Sequence, residues 1–272
     1  MDNYSVLMSV YYKEQPEYLR QSVNSMMEQT VRTDDFVLVC DGPLTPELDA
    51  VVSQFLEDYP DIFQVVRLET NQGLGHALNI GLKHCKNELV ARMDSDDISL
   101  PERCAMQLQK FEEDPELAVI SGTIQEFEGS VDHVTAVKSL PQKHEEIYEY
   151  AKMRCPFNHP AVMYRKSAVL RAGGYPEIPQ YEDYDLWVRM LMDGAKSYNF
   201  TETLCMMRVD SSLYGRRGGW SYFKKVAAFR TKMRKAHFCS FSQYLLGICG
   251  QGVVCLVPNK VRQVIYKCFL RR

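Results

Sequence analysis

The chain has 272 residues, 46% of them hydrophobic and 25% charged, with a formal net charge of −3. That apolar content fills the core of one large domain, and a sequence pI of about 6.1 excludes a nucleic-acid binder held by bulk positive charge. Nine cysteines with no CxxC pair and no regular spacing exclude a disulfide framework and a zinc site; they indicate a reducing compartment, with Cys40, Cys85 and Cys205 as small apolar filler.

The N-terminal MDNYSVLMSV has no basic segment ahead of a long apolar run, so it reads as a first strand and not as a signal peptide. Strands are expected at 4–10 (YSVLMSV), 36–40 (FVLVC), 63–68 (FQVVRL) and 88–93 (ELVARM). Their near-continuous apolar character fits a sheet covered on both faces. Helical patterns lie between them. Pro16 starts one, with Leu19, Val23 and Met26 on one face; TPELDAVVSQFLEDYP and GLGHALNIGLKHC follow the second and third strands. SLPERCAMQLQKFEEDP repeats the pattern, with Ser99 as its cap, Pro101 near the first turn and Cys104, Leu108 and Phe111 turned inward. Short-looped strand–helix alternation means a parallel α/β sheet of the nucleotide-binding kind.

After about residue 115 the order changes. LAVISG and TIQEFEG read as two strands near a sheet edge and HPAVMYR as another, with helices at 167–173 and 183–193. From 218 onward the pattern is helical and basic. No repeat, low-complexity tract or Pro/Gly/Ser linker divides the chain, so one continuous domain of catalytic type is expected over 1–217, with the change of pattern marking a helical basic region over 218–272.

Ligands of parallel α/β sheets sit at the carboxyl ends of the strands. Asp41 ends the second strand in FVLVCDG, and Asp94, Asp96 and Asp97 end the fourth in ARMDSDDISLPER. Three carboxylates in four positions repel one another unless a hard cation sits among them or a helix N-terminus takes them. A calcium loop of the EF-hand type fails on spacing, because Ile98 and Ser99 stand where Asp or Asn and Gly are required. Arg92, a charge in an apolar strand, is expected to pair with a nearby carboxylate. Further along, Glu182 and Asp183 precede an amphipathic helix with Leu186, Trp187, Met190 and Leu191. They serve either the helix dipole or proton abstraction, and Asp185 reads as a first-turn residue. His76 at a helix start and His159 before Pro160 each carry a packing reading and a ligand-facing one.

These residues resemble those of the family 2 glycosyltransferases of the GT-A fold, especially the bacterial enzymes that build O-antigen and capsule repeat units. The resemblance spans roughly residues 4–220 and rests on SVLMSVYYKEQPEYLRQSVNSMMEQT, VLVCDG, NQGLGHALNIGL, ARMDSDDISLPER and FNHPAVMYRKSAVLRAGGY…YEDYDLWVRM, in that order. It implies a UDP-sugar donor, with Asp41 on the uracil, Val10, Tyr11 and Tyr12 lining the base, and Asp94 with Ser95 on the ribose or sugar. It implies Mn²⁺ or Mg²⁺ on Asp96, Asp183 as the base with Glu182 beside it, and His159 toward the acceptor. Arg216, Arg217 and Trp220 in GRRGGW resemble the element that closes over the diphosphate. The chemistry agrees: sugar transfer from a nucleoside diphosphate needs a Lewis acid for the leaving phosphate and one base for the incoming hydroxyl. One base opposite the leaving group gives inversion.

The expectation is therefore a metal-dependent inverting enzyme adding one sugar to a lipid-linked saccharide. A polyprenyl-phosphate sugar transferase and a non-catalytic nucleotide-sugar scaffold are the alternatives. YLLGICGQGVVCLVP (244–258) is too short to span a bilayer and is followed by Lys260, Arg262, Lys267, Arg271 and Arg272. An apolar helix with a basic flank suits the cytoplasmic face of an anionic membrane; a helix docked on the catalytic domain is the other reading.

Overall fold

In the strand β1 (Tyr4–Val10), Val6, Met8 and Val10 enter one apolar cluster while Leu7 enters another, and all four are buried. The same alternation holds in β2 (Asp35–Cys40), where Phe36, Leu38 and Cys40 face one side and Val37 and Val39 the other. A period of two with both sets apolar is the requirement of a strand covered on both faces. The computed structural model describes residues 3–176, 180–209 and 218–257.

β1, β2, β3 (Phe63–Arg67) and β4 (Leu89–Asp94) pair in parallel in the order β3-β2-β1-β4. The crossovers are α1 (Pro16–Met27), α2 (Pro46–Asp58) and α3 (Leu74–His84). The chain thus winds outward from β1 to β3, then crosses back through α3 to the other side of β1. That reversal opens a crevice at the carboxyl ends of β1 and β4.

Beyond β4 the sheet is mixed. A two-residue β5 (Ile98–Ser99) precedes α4 (Arg103–Glu113), and β6 (Leu117–Phe127) is followed by β7 (Val134–Lys138) and α5 (His144–Ala151). A 3-10 turn, His159–Ala161, then leads into β8 (Met163–Arg165), α6 (Lys166–Arg171), α7 (Glu182–Met192) and β9 (Lys196–Arg208). β8 lies antiparallel between β4 and β6, β9 runs parallel to β6, and β5 and β7 pair antiparallel with β9 and β6. The expected α/β architecture is present, and its parallel part is the half that carries the crevice.

Three details differ from the sequence reading. LAVISG and TIQEFEG are one strand, because β9 accompanies both segments through register shifts at Gly122–Ile124. HPAVMYR is a strand only from Met163, since the 3-10 turn at Pro160 ends any earlier pairing. Ser99 caps no helix. It pairs with Cys205 across β5 and β9, and α4 starts four residues later at Arg103.

α1, α2 and α4 cover one face of the sheet; α3 and α7 cover the other, with Trp187 buried against Phe157, Tyr164 and Tyr175. The opposite side of α7 joins a third cluster, in which Tyr184, Val188 and Leu191 meet Val226, Phe229 and Met233 of α8 (Gly219–Lys235). α9 (Phe241–Leu256) folds back on α8 after a capping box at Ser240, whose hydroxyl accepts from the Gln243 amide. The guanidinium of Arg230 is buried and donates to the carbonyls of Lys152 and Met153, tying α8 to the end of α5. Asp185 takes Arg189 of its own helix and Lys232 of α8 at 2.7 and 2.5 Å.

Candidate active site

A cavity of about 710 Å³ opens at the crevice between β1 and β4. Ser9 and Val10 of β1 with Tyr11 just beyond it, Asp41 after β2, and Asp94 at the end of β4 with Ser95 and Asp96 line it. β1 and β4 pair Ser9 with Asp94, so the acidic loop leaves the sheet where the topology turns.

The acids divide by environment. Residues two apart on a strand share a face, and Arg92 there grips both oxygens of Asp94 with both terminal nitrogens. Arg92 is 1% exposed. Burial pulls its guanidinium downward in pKa, and Asp94 more than reverses this, for a net shift upward. Asp96 stays beside the cavity with its carboxyl pushed up to about 7, first by burial and then by the charges of Asp94 and Glu14. Asp97 is 2% exposed and accepts from the backbone amide of Arg208 at 2.8 Å. Burial drives its carboxyl well up, and Asp96 and Asp94 add to the shift.

Two residues far away in sequence hold this loop. Glu14 accepts from the Ser95 hydroxyl at 2.7 Å. Arg208, at the end of β9, donates to the Asp96 carbonyl at 3.0 Å and to Gln21 at 2.8 Å, with its guanidinium 3.8 Å from the Tyr18 ring centre.

Asp41 accepts from the amides of Gln72 and Gly73 at 2.7 and 2.9 Å, so it clasps the loop leading into α3. Gly42 permits the approach: its φ is +88°, and a Cβ there would lie 2.7 Å from the Asn71 nitrogen. A carboxylate offers about four lone-pair sites, so two amide bonds leave capacity for a ligand.

Glu182 and Asp183 are the first two residues of α7. Gly75 of α3 brings this helix start close, since an added Cβ would meet the Pro176 carbonyl at 2.8 Å and Glu182 Cβ at 3.5 Å. Asp183 accepts from the Tyr184 amide through Oδ1 at 2.7 Å, and the Cys155 thiol lies 3.7 Å from Oδ2. Burial raises the Asp183 carboxyl, against the pull of its amide bond, Lys138 and Arg92. Glu182 is raised too, by burial first, and its Oε2 is buried without a hydrogen-bond partner. The field of Arg92 thus reaches both the cavity acids and the α7 pair.

The model of "Glycosyl transferase family 2" matches residues 5–174. The chain belongs to glycosyl transferase family 2. It is 38% identical over 268 residues to the amylovoran biosynthesis glycosyltransferase AmsE of Erwinia amylovora, covering 97% of this chain and 98% of that one. It is 35% identical over 269 residues, 99% and 97% of the two chains, to the UDP-Gal:alpha-D-GlcNAc-diphosphoundecaprenol beta-1,3-galactosyltransferase of Escherichia coli. Among solved structures, S. aureus TarS 1–349 in complex with UDP-GlcNAc superposes with a TM-score of 0.67 at 18% identity, over 92% of this chain and 72% of that one. The chain spans 43% of a longer TarS chain. The fold is the GT-A fold of these glycosyltransferases, and the protein is a glycosyltransferase.

Within this family 2 enzyme, Val10, Tyr11, Asp41, Asp94, Ser95 and Asp96 converge on the cavity. The other residues singled out lie elsewhere. Tyr12 is half exposed beside it in sequence, and Trp220 stands 58% exposed in the first turn of α8 with its ring 5.3 Å from Phe223. Arg216 and Arg217 lie outside the described residues. His159 packs on Tyr175 and Trp187, its Nε2 3.3 Å from the Tyr175 hydroxyl. Burial, aided by Arg92, holds its imidazole well below the usual histidine range, hence neutral at pH 7. Cys40, Cys85 and Cys205 are buried filler as expected. The cavity-lining Glu14, Tyr18 and Arg208 were not singled out from the sequence. Arg208 sits in a strand with no motif of its own, and only the β5–β9 pairing brings it to the acidic loop.

Among the described residues no three His, Cys, Asp or Glu side chains form a ready metal cage. Mg²⁺-type sites commonly use one or two carboxylates and draw their other ligands from water and substrate phosphates. Asp96, buried and crowded by two other carboxylates, fits that pattern, because a cation there offsets both the lost hydration and the repulsion that raise it.

Proposed function

We propose that this glycosyltransferase moves a sugar from a UDP-sugar to a saccharide carried on a lipid diphosphate, with inversion, during assembly of a bacterial surface polysaccharide. The observation that carries this reading is the gathering of Asp41, Asp94, Ser95 and Asp96 around one cavity at the sheet's switch point. The names of two relatives at 35% and 38% identity, one acting on a diphosphoundecaprenol-linked sugar and one serving amylovoran biosynthesis, support the acceptor and the process.

In this reading Val10, Tyr11 and Tyr12 line the base, Asp41 takes the uracil, and Asp94, held by Arg92, takes the ribose or sugar with Ser95. Asp96 is the residue that would hold Mn²⁺ or Mg²⁺. The ion, when bound, offsets the charge that builds on the leaving phosphate. Asp183 accepts the proton of the acceptor hydroxyl. Burial raises its basicity, and the bond from the Tyr184 amide fixes the carboxylate plane. The enzyme works at the cytoplasmic face of the membrane that holds its acceptor.

The test is UDP release with a lipid-linked saccharide, using Asp183→Asn. The amide keeps the shape and the Tyr184 bond but cannot take the proton. Donor affinity is expected to stay near the parent value while turnover falls by roughly 10²–10⁴-fold. Because the base must be ionised, the acid limb of kcat/KM is expected above the ordinary aspartate range. Normal turnover in this variant, with a large loss in Glu182→Gln, moves the base to Glu182. Transfer to bare polyprenyl phosphate in preference to a lipid-linked saccharide overturns the acceptor assignment.

A further inference from the structure

We infer that the outer face of α9 is the surface by which this enzyme lies on an anionic bilayer. This deepens the proposed reading by naming the residues that meet the membrane, and it can be tested without any sugar transfer.

Three observations converge. The first is a one-sided apolar face. α9 contains no Asp, Glu, Lys or Arg across its 16 residues. Phe241, Leu245, Leu246 and Val253 are 61, 44, 66 and 60% exposed, and at 100° per residue they fall within one half of the helix circumference. The opposite side is committed to α8: an added Cβ at Gly247 would meet Arg230 Nε at 3.0 Å, and Cys255, about 80° further round the helix, is buried in the cluster with Val226 and Phe229. The docked side and the free side are therefore distinct, and the free side holds the large apolar residues.

The second is charge. Residues 211–272 contain thirteen of the 32 Lys and Arg residues and none of the 35 acidic ones. Residues 1–210 keep nineteen basic against 35 acidic residues, a net of −16. An anionic surface repels the catalytic body and attracts this end, so charge alone selects the orientation. Lys224 and Lys235 are exposed on α8 beside α9. The same charge disfavours a second copy as the occupant. A two-fold interface on α9 brings two acid-free, thirteen-cation segments together.

The third is length. Sixteen helical residues reach about 24 Å, short of the roughly 30 Å hydrocarbon core, and among the described residues no helix is long and apolar enough to cross a membrane. A helix with a free apolar half and cationic flanks lies in the plane of the interface. α8 in turn packs on α7 through Phe229, whose ring centre is 4.7 Å from that of Tyr184, one residue from Asp183. Docking α9 thus holds the helix that bears the candidate base at a fixed height over the lipid.

The experiment is flotation of the full chain with phosphatidylglycerol-containing vesicles and with pure phosphatidylcholine vesicles, at low and high salt. The parent is expected to float with the anionic vesicles only, and less at high salt. Leu246→Glu combined with Val253→Glu removes two solvent-facing apolar groups and should weaken binding by roughly tenfold or more. Lys224→Glu with Lys235→Glu is a second, independent variant that should also lower binding at low salt, with an unchanged Tm in both. Equal flotation of the parent and both variants overturns the assignment, as does a parent that binds neither vesicle. So does concentration-dependent self-association of the parent without lipid that the α9 variant abolishes, which makes the face an interface between copies. Absence of UDP release with a lipid-linked acceptor would refute the transferase reading while leaving the flotation result intact.

Discussion

Asp96 and Asp97 are neighbours with opposite situations, and no spacing rule separates them. The strand end delivers Asp94 and Asp96 to the cavity and turns Asp97 inward, where the amide of Arg208 meets it. The tight DSDD run made an acidic centre legible; the identity of the buried partner, 111 residues away, was not. The Arg92–Asp94 pair was legible, because a charge inside a buried strand demands a partner. The two neighbours should respond differently to loss of charge. Asp96→Asn is expected to abolish the part of UDP-sugar affinity that depends on Mn²⁺, read by calorimetry with and without the ion. Asp97→Asn should keep that part and stabilise the metal-free protein. Its folded-state pKa is raised, so the native state holds its proton more tightly than the unfolded chain. Its contribution is then full below the unfolded pKa and is lost as pH rises through the folded one. The asparagine keeps an acceptor for Arg208 and removes this loss, so the variant should gain a few degrees of Tm near neutral pH and little in acid. An unchanged pH dependence of Tm would show that Asp97 is not the titrating group.

At the scale of elements, β1, β2 and β4 were readable because both faces are buried and the apolar runs are therefore nearly continuous, while the half-buried edge strand β3 was readable from its Val65–Val66 pair. β9 was not read. Its KSYNFTETLCMMR alternates irregularly, and its pairing with β6 shifts register at Gly122–Ile124; a strand whose partner lies about 80 positions away in sequence leaves no local periodicity to follow. The Ser99 cap failed for the related reason that β5 takes its partner from β9. Turns were more transparent. Gly42 lies at φ +88°, and a side chain there collides with backbone at Asn71, so the β2 end and the loop into α3 are locked together by the absence of a Cβ. Gly42→Ala is expected to cost about 1–3 kcal/mol in urea unfolding. It should also weaken UDP-sugar binding, since Asp41 would lose its alignment with the Gln72 and Gly73 amides. Parental stability together with parental affinity would show that the loop shifts freely to make room.

For the whole molecule, the open question is whether the α8–α9 hairpin is an appendage or part of one cooperative unit. Composition suggested a division near residue 217, since the chain turns helical and basic there. The packing supplies what composition hides. α7 is apolar on two sides, one in the sheet cluster around Trp187 and one in the cluster with Phe229 and Met233, and Arg230 and Lys232 anchor α8 to α5 and α7. A helix shared by two cores couples them, because neither can melt without exposing the other's apolar face to water. The two tryptophans allow a direct test, as Trp187 lies in the sheet cluster and Trp220 on α8. In Trp220→Phe the remaining fluorescence reports the body alone, while far-UV circular dichroism also reports the 17- and 16-residue helices α8 and α9. The two urea transitions are expected to coincide. Phe229→Ala, which empties a site 2% exposed, should shift both together, by about 3–5 kcal/mol. An early loss of helical signal while Trp187 stays native would instead make the hairpin a separate unit, and α7 would no longer couple the membrane-facing end to the site.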